Sequence, residues 1–148
     1  MASSRPRLHH IALTVTDLDV SAEWYQNVFG ISFVADIPHE GGVGRLLRDE
    51  AQELGIVLHR HDANEGETFK ETRTGLDHAG FVLSSRADLV EWQKHLEQHG
   101  VAPADAADRP LTQSPIADES YGSVLVFRDP DNIQLELYAP PDARDTAP

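Results

Sequence analysis

Apolar and polar residues alternate in two short runs, RLHHIALTV over residues 7–15 and GLDHAGFVL over residues 75–83, and such alternation predicts half-buried strands. Each run leads into a turn holding a helix-starting residue, Asp17 or Asp19 in the first case and Ser84 or Ser85 in the second. The first predicted helix carries Val20, Trp24 and Val28, and the second Leu89, Trp92 and Leu96, so each has one apolar stripe to lay on a sheet. Gly30 and Gly100 stand where these helices should end. The runs ISFVADI, GRLLRD and LGIVLH then give the first half the order β-α-β-β-β. The second half repeats this order less clearly. Residues 102–120 are polar and proline-bearing and read as a long loop, after which SVLVFRD and IQLELY form strands joined by the turn Asp129-Pro130-Asp131-Asn132.

The two halves are copies. A shift of 68 positions lays Leu8 on Leu76, His10 on His78, Glu23 on Glu91 and Trp24 on Trp92 without a gap. The expected architecture is therefore α+β, with two tandem βαβββ modules at about residues 7–62 and 74–139. Together they make a single domain over 7–139, followed by a loose tail over 140–148.

Strand period sorts the side chains by face. Ile11, Leu13 and Val15 lie on one side of the first strand, and His10, Ala12 and Thr14 on the other. In the second copy Ala79, Phe81 and Leu83 oppose His78, Gly80 and Val82. In the last strand Ile133, Leu135 and Leu137 oppose Gln134, Glu136 and Tyr138. Three strands thus send an ionisable residue to the face away from the helix, and small neighbours beside two of them leave room for something else. A single strand histidine is ordinarily a hydrogen-bonded core or edge residue. Its recurrence at the same point of a duplicated unit changes the weight, because a buried imidazole or carboxylate without a partner is costly.

Composition narrows the chemistry further. With no cysteine among 148 residues, a metal can be held only by His, Asp or Glu, and disulfide or thiol chemistry is excluded. Twenty-five acidic residues against twelve basic ones give a net charge of −13, which tells against nucleic acid and anionic membrane surfaces as partners. MASSRPRLHH has no apolar stretch of the secretory kind, so a cytoplasmic location is expected.

LHHIALTVTDLDVSAEWYQNVFGI and LDHAGFVLSS, with the closing FRDPDNIQLELY, resemble the vicinal oxygen chelate superfamily over about residues 7–139. That group contains glyoxalase I-like lyases, fosfomycin-resistance transferases, extradiol dioxygenases and bleomycin-resistance proteins. The resemblance implies a glyoxalase/bleomycin resistance/dioxygenase fold, a curved mixed sheet around a cavity. It also implies a divalent metal held by His10, His78 and Glu136, the residues that the face pattern singles out. Two imidazoles and a carboxylate suit Fe, Mn, Ni or Zn and leave coordination positions open. A small substrate can bind there through two adjacent oxygens, with the ion acting as Lewis acid or, for iron, as activator of dioxygen. A homodimer is a further implication, since relatives often complete the cavity across two chains.

Departures from subfamily patterns bear on the reaction. Val57 stands where glyoxalase I-like enzymes carry an acidic ligand, and His59, two residues on, is the candidate base or fourth ligand. Val126, Asn132 and the acidic pair Asp118 and Glu119 stand where extradiol dioxygenases show other residues. A fosfomycin-type site needs a cationic pocket, for which Arg60 and Arg128 are the candidates. Tyr121 and Tyr138 could line the cavity, Tyr121 as a possible acid or base. His95 and His99, one helical turn apart, lie off the apolar stripe and read as a solvated face, while Gly41-Gly42-Val43-Gly44 reads as a hairpin connection. A glyoxalase-like metalloenzyme is the leading expectation; a metal-free module that binds an antibiotic and an atypical iron dioxygenase are the alternatives.

Overall fold

Asp17 begins the first helix by accepting hydrogen bonds from the backbone N–H groups of Asp19 and Val20, each at 3.0 Å, in the computed structural model, which describes residues 4–141. This cap satisfies two of the donors that a helix start leaves without partners. Loss of the Asp17 carboxylate in Asp17→Ala is expected to cost about 1 kcal/mol, read as a lowered urea midpoint with an unchanged slope. The chain divides into two compact units between Glu67 and Thr68.

In the first unit the order is β1 (Ile11–Thr14), α1 (Leu18–Phe29), β2 (Ser32–His39), β3 (Gly42–Arg48) and β4 (Gly55–His61). The sheet runs β1-β4-β3-β2, with β1 parallel to β4 and the other pairs antiparallel. Helix α1 packs over β4 and β3. Leu13, Val15, Leu47, Ile56 and Leu58 form the core beneath it, and each fully buried aliphatic side chain contributes about 1.5–3 kcal/mol. The alternation of β1 is as expected, with Leu13 and Val15 buried and Ala12 and Thr14 exposed. The helix stripe is not. Val20 is 52% exposed, and the buried face is Leu18, Ser21, Ala22, Trp24, Tyr25 and Val28. The face laid on the sheet is centred on Tyr25, which is fully buried and stacks on Phe29 at 5.7 Å, and Leu18, Ser21 and Ala22 reach it by steps of three and four. Gly30 closes the helix at φ 64°, a left-handed conformation that glycine adopts without steric cost.

The second unit contains β5 (Ala79–Val82), α2 (Arg86–Gln98), β6 (Ala102–Pro103), β7 (Thr112–Gln113), β8 (Ala117–Glu119), β9 (Gly122–Arg128) and β10 (Gln134–Ala139). Its sheet runs β5-β10-β9-β7-β6, with β8 also paired to β9. Ser85 caps α2. At the other end Val101 N–H donates to Leu96 O and Gly100 N–H to Glu97 O, a paired closure that needs the positive φ of Gly100. His99 turns its Nδ1 to His95 O at 2.8 Å, so this histidine pair serves the helix end.

The expected long loop over 102–120 instead contains three short strands. Their polar residues hold them: buried Gln113 donates to Gln93 O and Val101 O at 3.2 and 3.1 Å, and Val126 N–H donates to Ser114 Oγ at 3.0 Å. Leu135, Leu137 and Ile133 are buried while Gln134, Glu136 and Tyr138 lie on the opposite, half-exposed face. Of the expected tail, residues 142–148 lie outside the described part. No helix among the described residues is long and apolar enough to cross a membrane.

Candidate functional site

The β5–β10 pair positions two of the proposed ligands. Gly80 lies opposite Glu136 in the parallel register, and a Cβ on Gly80 would meet Glu136 Oε1 at 3.9 Å, so the glycine leaves the carboxylate uncovered. His78 lies immediately before β5, two residues ahead of Gly80. His78 Nδ1 is 2.7 Å from Asp77 Oδ1, which also accepts from Gln134 Nε2 at 3.2 Å. A carboxylate only accepts, so the hydrogen resides on Nδ1 and Nε2 of the neutral ring keeps its lone pair. This is the arrangement by which a second carboxylate orients a metal-ligating imidazole.

Gln134 is held in turn. Its Oε1 accepts from Arg128 Nη2 at 2.8 Å, and Arg128 also donates to Glu71 Oε1 and Oε2 at 2.9 and 3.1 Å, to Ala107 O at 2.7 Å and to Asn132 O at 3.1 Å. All five guanidinium N–H donors are used by a side chain 3% exposed. Arg128, one of the two candidates for a cationic pocket, therefore does not present a cation to a ligand. Arg60, the other candidate, pairs with Asp62 at 2.8 Å. The Arg128 guanidinium holds the Glu71 carboxyl well below its ordinary range, at about 2.

In the first unit, His10 is exposed at the start of β1, and its Nδ1 lies 2.9 Å from His9 Nδ1. Arg48 Nη2 donates to His9 Nε2 at 2.6 Å, so a neutral His9 carries its hydrogen on Nδ1 and gives it to His10. Ligation by His10 through Nδ1 requires that contact to yield, and ligation through Nε2 requires a change of tautomer. The His9–Arg48 pairing was not legible in the sequence, because it depends on β1 and the distal end of β3 meeting through β4.

His59 is half-buried on β4, opposite Gly44. Burial foremost, then the neighbouring imidazoles of His39, His61 and His10, push its pKa below the usual histidine range and favour the neutral ring. Val57 is 7% exposed and packs as a core residue. Tyr121 is 60% exposed beside the β8–β9 connection, and its backbone carbonyl accepts from Tyr138 OH at 2.7 Å. Asp118 accepts from Arg86 at 2.6 and 2.8 Å and from Ser123 at 2.6 Å, which hold its carboxyl at about 2.

The proposed ligands are thus divided between the units, His10 in the first and His78 with Glu136 in the second. Among the described residues no three His, Cys, Asp or Glu side chains stand grouped to hold a metal ion. The donor types nevertheless fit one: two imidazoles and a carboxylate, with the His78 lone pair already directed by its neighbour.

The sequence model of the Glyoxalase/Bleomycin resistance protein/Dioxygenase superfamily matches residues 7–137, and the chain belongs to that superfamily. A solved glyoxylase/bleomycin resistance protein/dioxygenase domain from Frankia sp. EAN1pec is 31% identical, with 93% of this chain and 100% of that one covered and a TM-score of 0.79. Biphenyl-2,3-diol 1,2-dioxygenase 3 of Rhodococcus globerulus is 24% identical over 132 residues, which are 89% of this chain and 62% of that protein. The chain therefore spans about three fifths of that relative's length. A mutant of the fosfomycin resistance protein FosX from Listeria monocytogenes, complexed with Mn(II) and 1S,2S-dihydroxypropylphosphonic acid, shares the fold at 20% identity and a TM-score of 0.62. Alignment covers 99% of this chain and 100% of that one. The α+β class and the fold of this superfamily are as the sequence predicted.

Proposed function

We propose that the protein is a metal-dependent, glyoxalase-like enzyme acting on a small substrate through two adjacent oxygens. The observation that carries this reading is the His78–Asp77–Gln134 relay, which fixes an exposed imidazole with its Nε2 lone pair outward in the way a second carboxylate orients a metal ligand, with the uncovered Glu136 carboxylate two residues from Gln134 on β10. His78, Glu136 and His10 would hold a divalent ion of the Fe, Mn, Ni or Zn group, which when bound supplies Lewis-acid stabilisation of charge developing on a chelated oxygen. Asp77 fixes the His78 ring and Gln134 fixes Asp77. Neutral His59 is suited to accept a proton, and exposed Tyr121 to donate one. The relatives' Mn(II) complex and dioxygenase name support a metal and a small ligand. The engagement of Arg128 and Arg60 in ion pairs weighs against a phosphonate substrate and hence against a fosfomycin-type transferase.

A homodimer in the cytoplasm is part of this proposal. A dioxygenase reading is favoured by the Rhodococcus relative and is opposed by Asp118, which is committed to Arg86. Reconstitution of untagged, chelator-treated protein with Fe(II), Mn(II), Ni(II) or Zn(II) tests the proposal. About one equivalent lost in His78→Ala and His10→Ala is expected. Failure of every ion to bind through these residues transfers the site to a metal-free module that sequesters a small molecule.

A further inference from the structure

Asp77 and His78 are both exposed, and water competes for a contact between exposed partners, so the pair by itself fixes the ring only weakly. The contacts beyond Asp77 supply what the pair lacks. Glu71 Oε1 accepts from Arg128 Nη2 at 2.9 Å, and the same Nη2 donates to Gln134 Oε1 at 2.8 Å. Gln134 Nε2 donates to Asp77 Oδ1 at 3.2 Å, and that oxygen accepts from His78 Nδ1 at 2.7 Å. One unbroken path thus leads from a buried guanidinium to an exposed imidazole. It crosses the sheet where Arg128 of β9 and Gln134 of β10 stand opposite each other in the register.

Donor and acceptor chemistry allows this path one polarity. A guanidinium only donates and a carboxylate only accepts, so the Gln134 amide between them has a single favourable orientation. Turned over, it would set its NH2 against Arg128 and its oxygen against Asp77, two repulsions in place of two bonds. The origin of the path is anchored as well. Glu71 lies in the segment before β5, which is tied to the β9–β10 turn: Phe69 N–H donates to Asp131 O at 2.9 Å, and Asn132 Nδ2 donates to Phe69 O at 3.2 Å. Asp129 Oδ1 steadies that turn by accepting from the N–H groups of Asp131 and Ile133 at 2.9 and 2.8 Å. Glu71 and Asp77 belong to the same segment, so it is clasped at both ends by the Arg128 and Gln134 side chains.

We propose that Glu71 is a positioning residue for His78. By holding Arg128 it orients Gln134 and Asp77, which keeps the His78 hydrogen on Nδ1 and the Nε2 lone pair available to a ligand. The inference rests on the proposed function for what that lone pair serves, whereas the tautomer belongs to the metal-free chain and is measured there.

The test is long-range proton–nitrogen correlation spectroscopy of untagged, metal-free chain labelled with nitrogen-15 in histidine, at about pH 8.5, above the ordinary histidine range. His78→Ala assigns the signal, and the wild type should show the Nδ1–H tautomer of His78 predominating. In Asp77→Ala the ratio of Nδ1–H to Nε2–H should fall about tenfold, as loss of one charge-assisted hydrogen bond implies. In Glu71→Ala it should fall at least about twofold, the smaller effect of a change further along the network. Glu71→Gln, whose amide oxygen still accepts from Arg128, should recover part of that loss. Glu71→Ala added to Gln134→Ala should change nothing further, because the path is already cut; a purely structural role of Glu71 would act in both backgrounds. His99, whose Nδ1 contacts His95 O in the same unit, should keep its tautomer throughout. Should Glu71→Ala fail to fold, Glu71→Gln carries the decision, with a lowered ratio in the wild-type background and none in Gln134→Ala. An unchanged ratio in folded Glu71→Ala beside a changed one in Asp77→Ala overturns the inference and leaves the proposed centre standing, as does an equal effect of Glu71→Ala with and without Gln134. Metal uptake that survives His78→Ala removes the proposed function and leaves the relay intact, so the two fail separately.

Discussion

Replacing Arg128 with Met is expected to cost about 3–5 kcal/mol, enough to threaten folding of the second unit. The side chain is buried and its five donors are satisfied by Glu71, Ala107, Asn132 and Gln134, so removal leaves several acceptors without their partner at once. Methionine fills the volume but donates nothing, and the Glu71 carboxylate loses its counter-charge. The same pair predicts a pH dependence. Glu71 has its folded pKa at about 2 against an ordinary 4.5, so the unfolded chain takes up a proton first as pH falls. The stabilisation is complete above about pH 4.5 and is lost progressively toward pH 2. Urea unfolding across that window should show a falling stability in the wild type and a shallower fall in Glu71→Gln. The double variant Glu71→Gln/Arg128→Met should be less damaged than the sum of the singles, because each single leaves the other group unpartnered. Additive losses would show that the two groups are not coupled.

The Arg128 network also explains what the sequence could and could not convey. The faces of β1, β5 and β10 were legible because a strand alternates with a period of two whatever its surroundings, and Leu13, Ala79 and Leu135 are buried as that period requires. The helix phase was less legible. Val20 fits an i, i+4 stripe with Trp24 and Val28, but which face is buried is decided by packing on the sheet, and that puts Tyr25 at the centre and Val20 outside. Residues 102–120 looked like loop because polarity and proline argue against strands; here Gln113 and Ser114 use their polarity to satisfy backbone groups next to β9 and α2.

An arginine beside a predicted ligand strand looked like a free cation, and only the fold reveals that Glu71, 57 residues away, is its partner. Among the candidate ligands, Glu136 could be assigned to its face from alternation, because it lies within β10 between buried Leu135 and Leu137. The Asp77 relay was hidden, since adjacent residues on a regular strand point to opposite sides. Asp77 and His78 precede β5, where the chain is not bound by that rule.

Glu136→Gln should weaken binding of the ion at the proposed centre by more than about 100-fold, and Asp77→Ala by about 10–100-fold, at unchanged fold. The two changes act at different distances from the metal, which gives the comparison its force. Glutamine retains the shape of Glu136 while removing a negative charge that opposes the ion directly, a loss of the main electrostatic attraction available in this donor set. Asp77 is not a ligand in the proposal. Its carboxylate accepts the His78 Nδ1 hydrogen at 2.7 Å, so its removal frees the ring to rotate and to place the hydrogen on the nitrogen that should donate electrons. Asp77→Asn separates these effects, since the amide oxygen still accepts from Nδ1 although the charge is gone, and binding should lie between wild type and Asp77→Ala. Gln134→Ala, one step further out, should fall nearer to wild type because it loosens Asp77 without touching the imidazole. Calorimetric titration of each variant with the same ion measures the order directly. Equal affinities for Asp77→Ala and wild type would mean that His78 serves the fold, whereas the graded series from Gln134 through Asp77 to Glu136 is what a metal held on this sheet face requires.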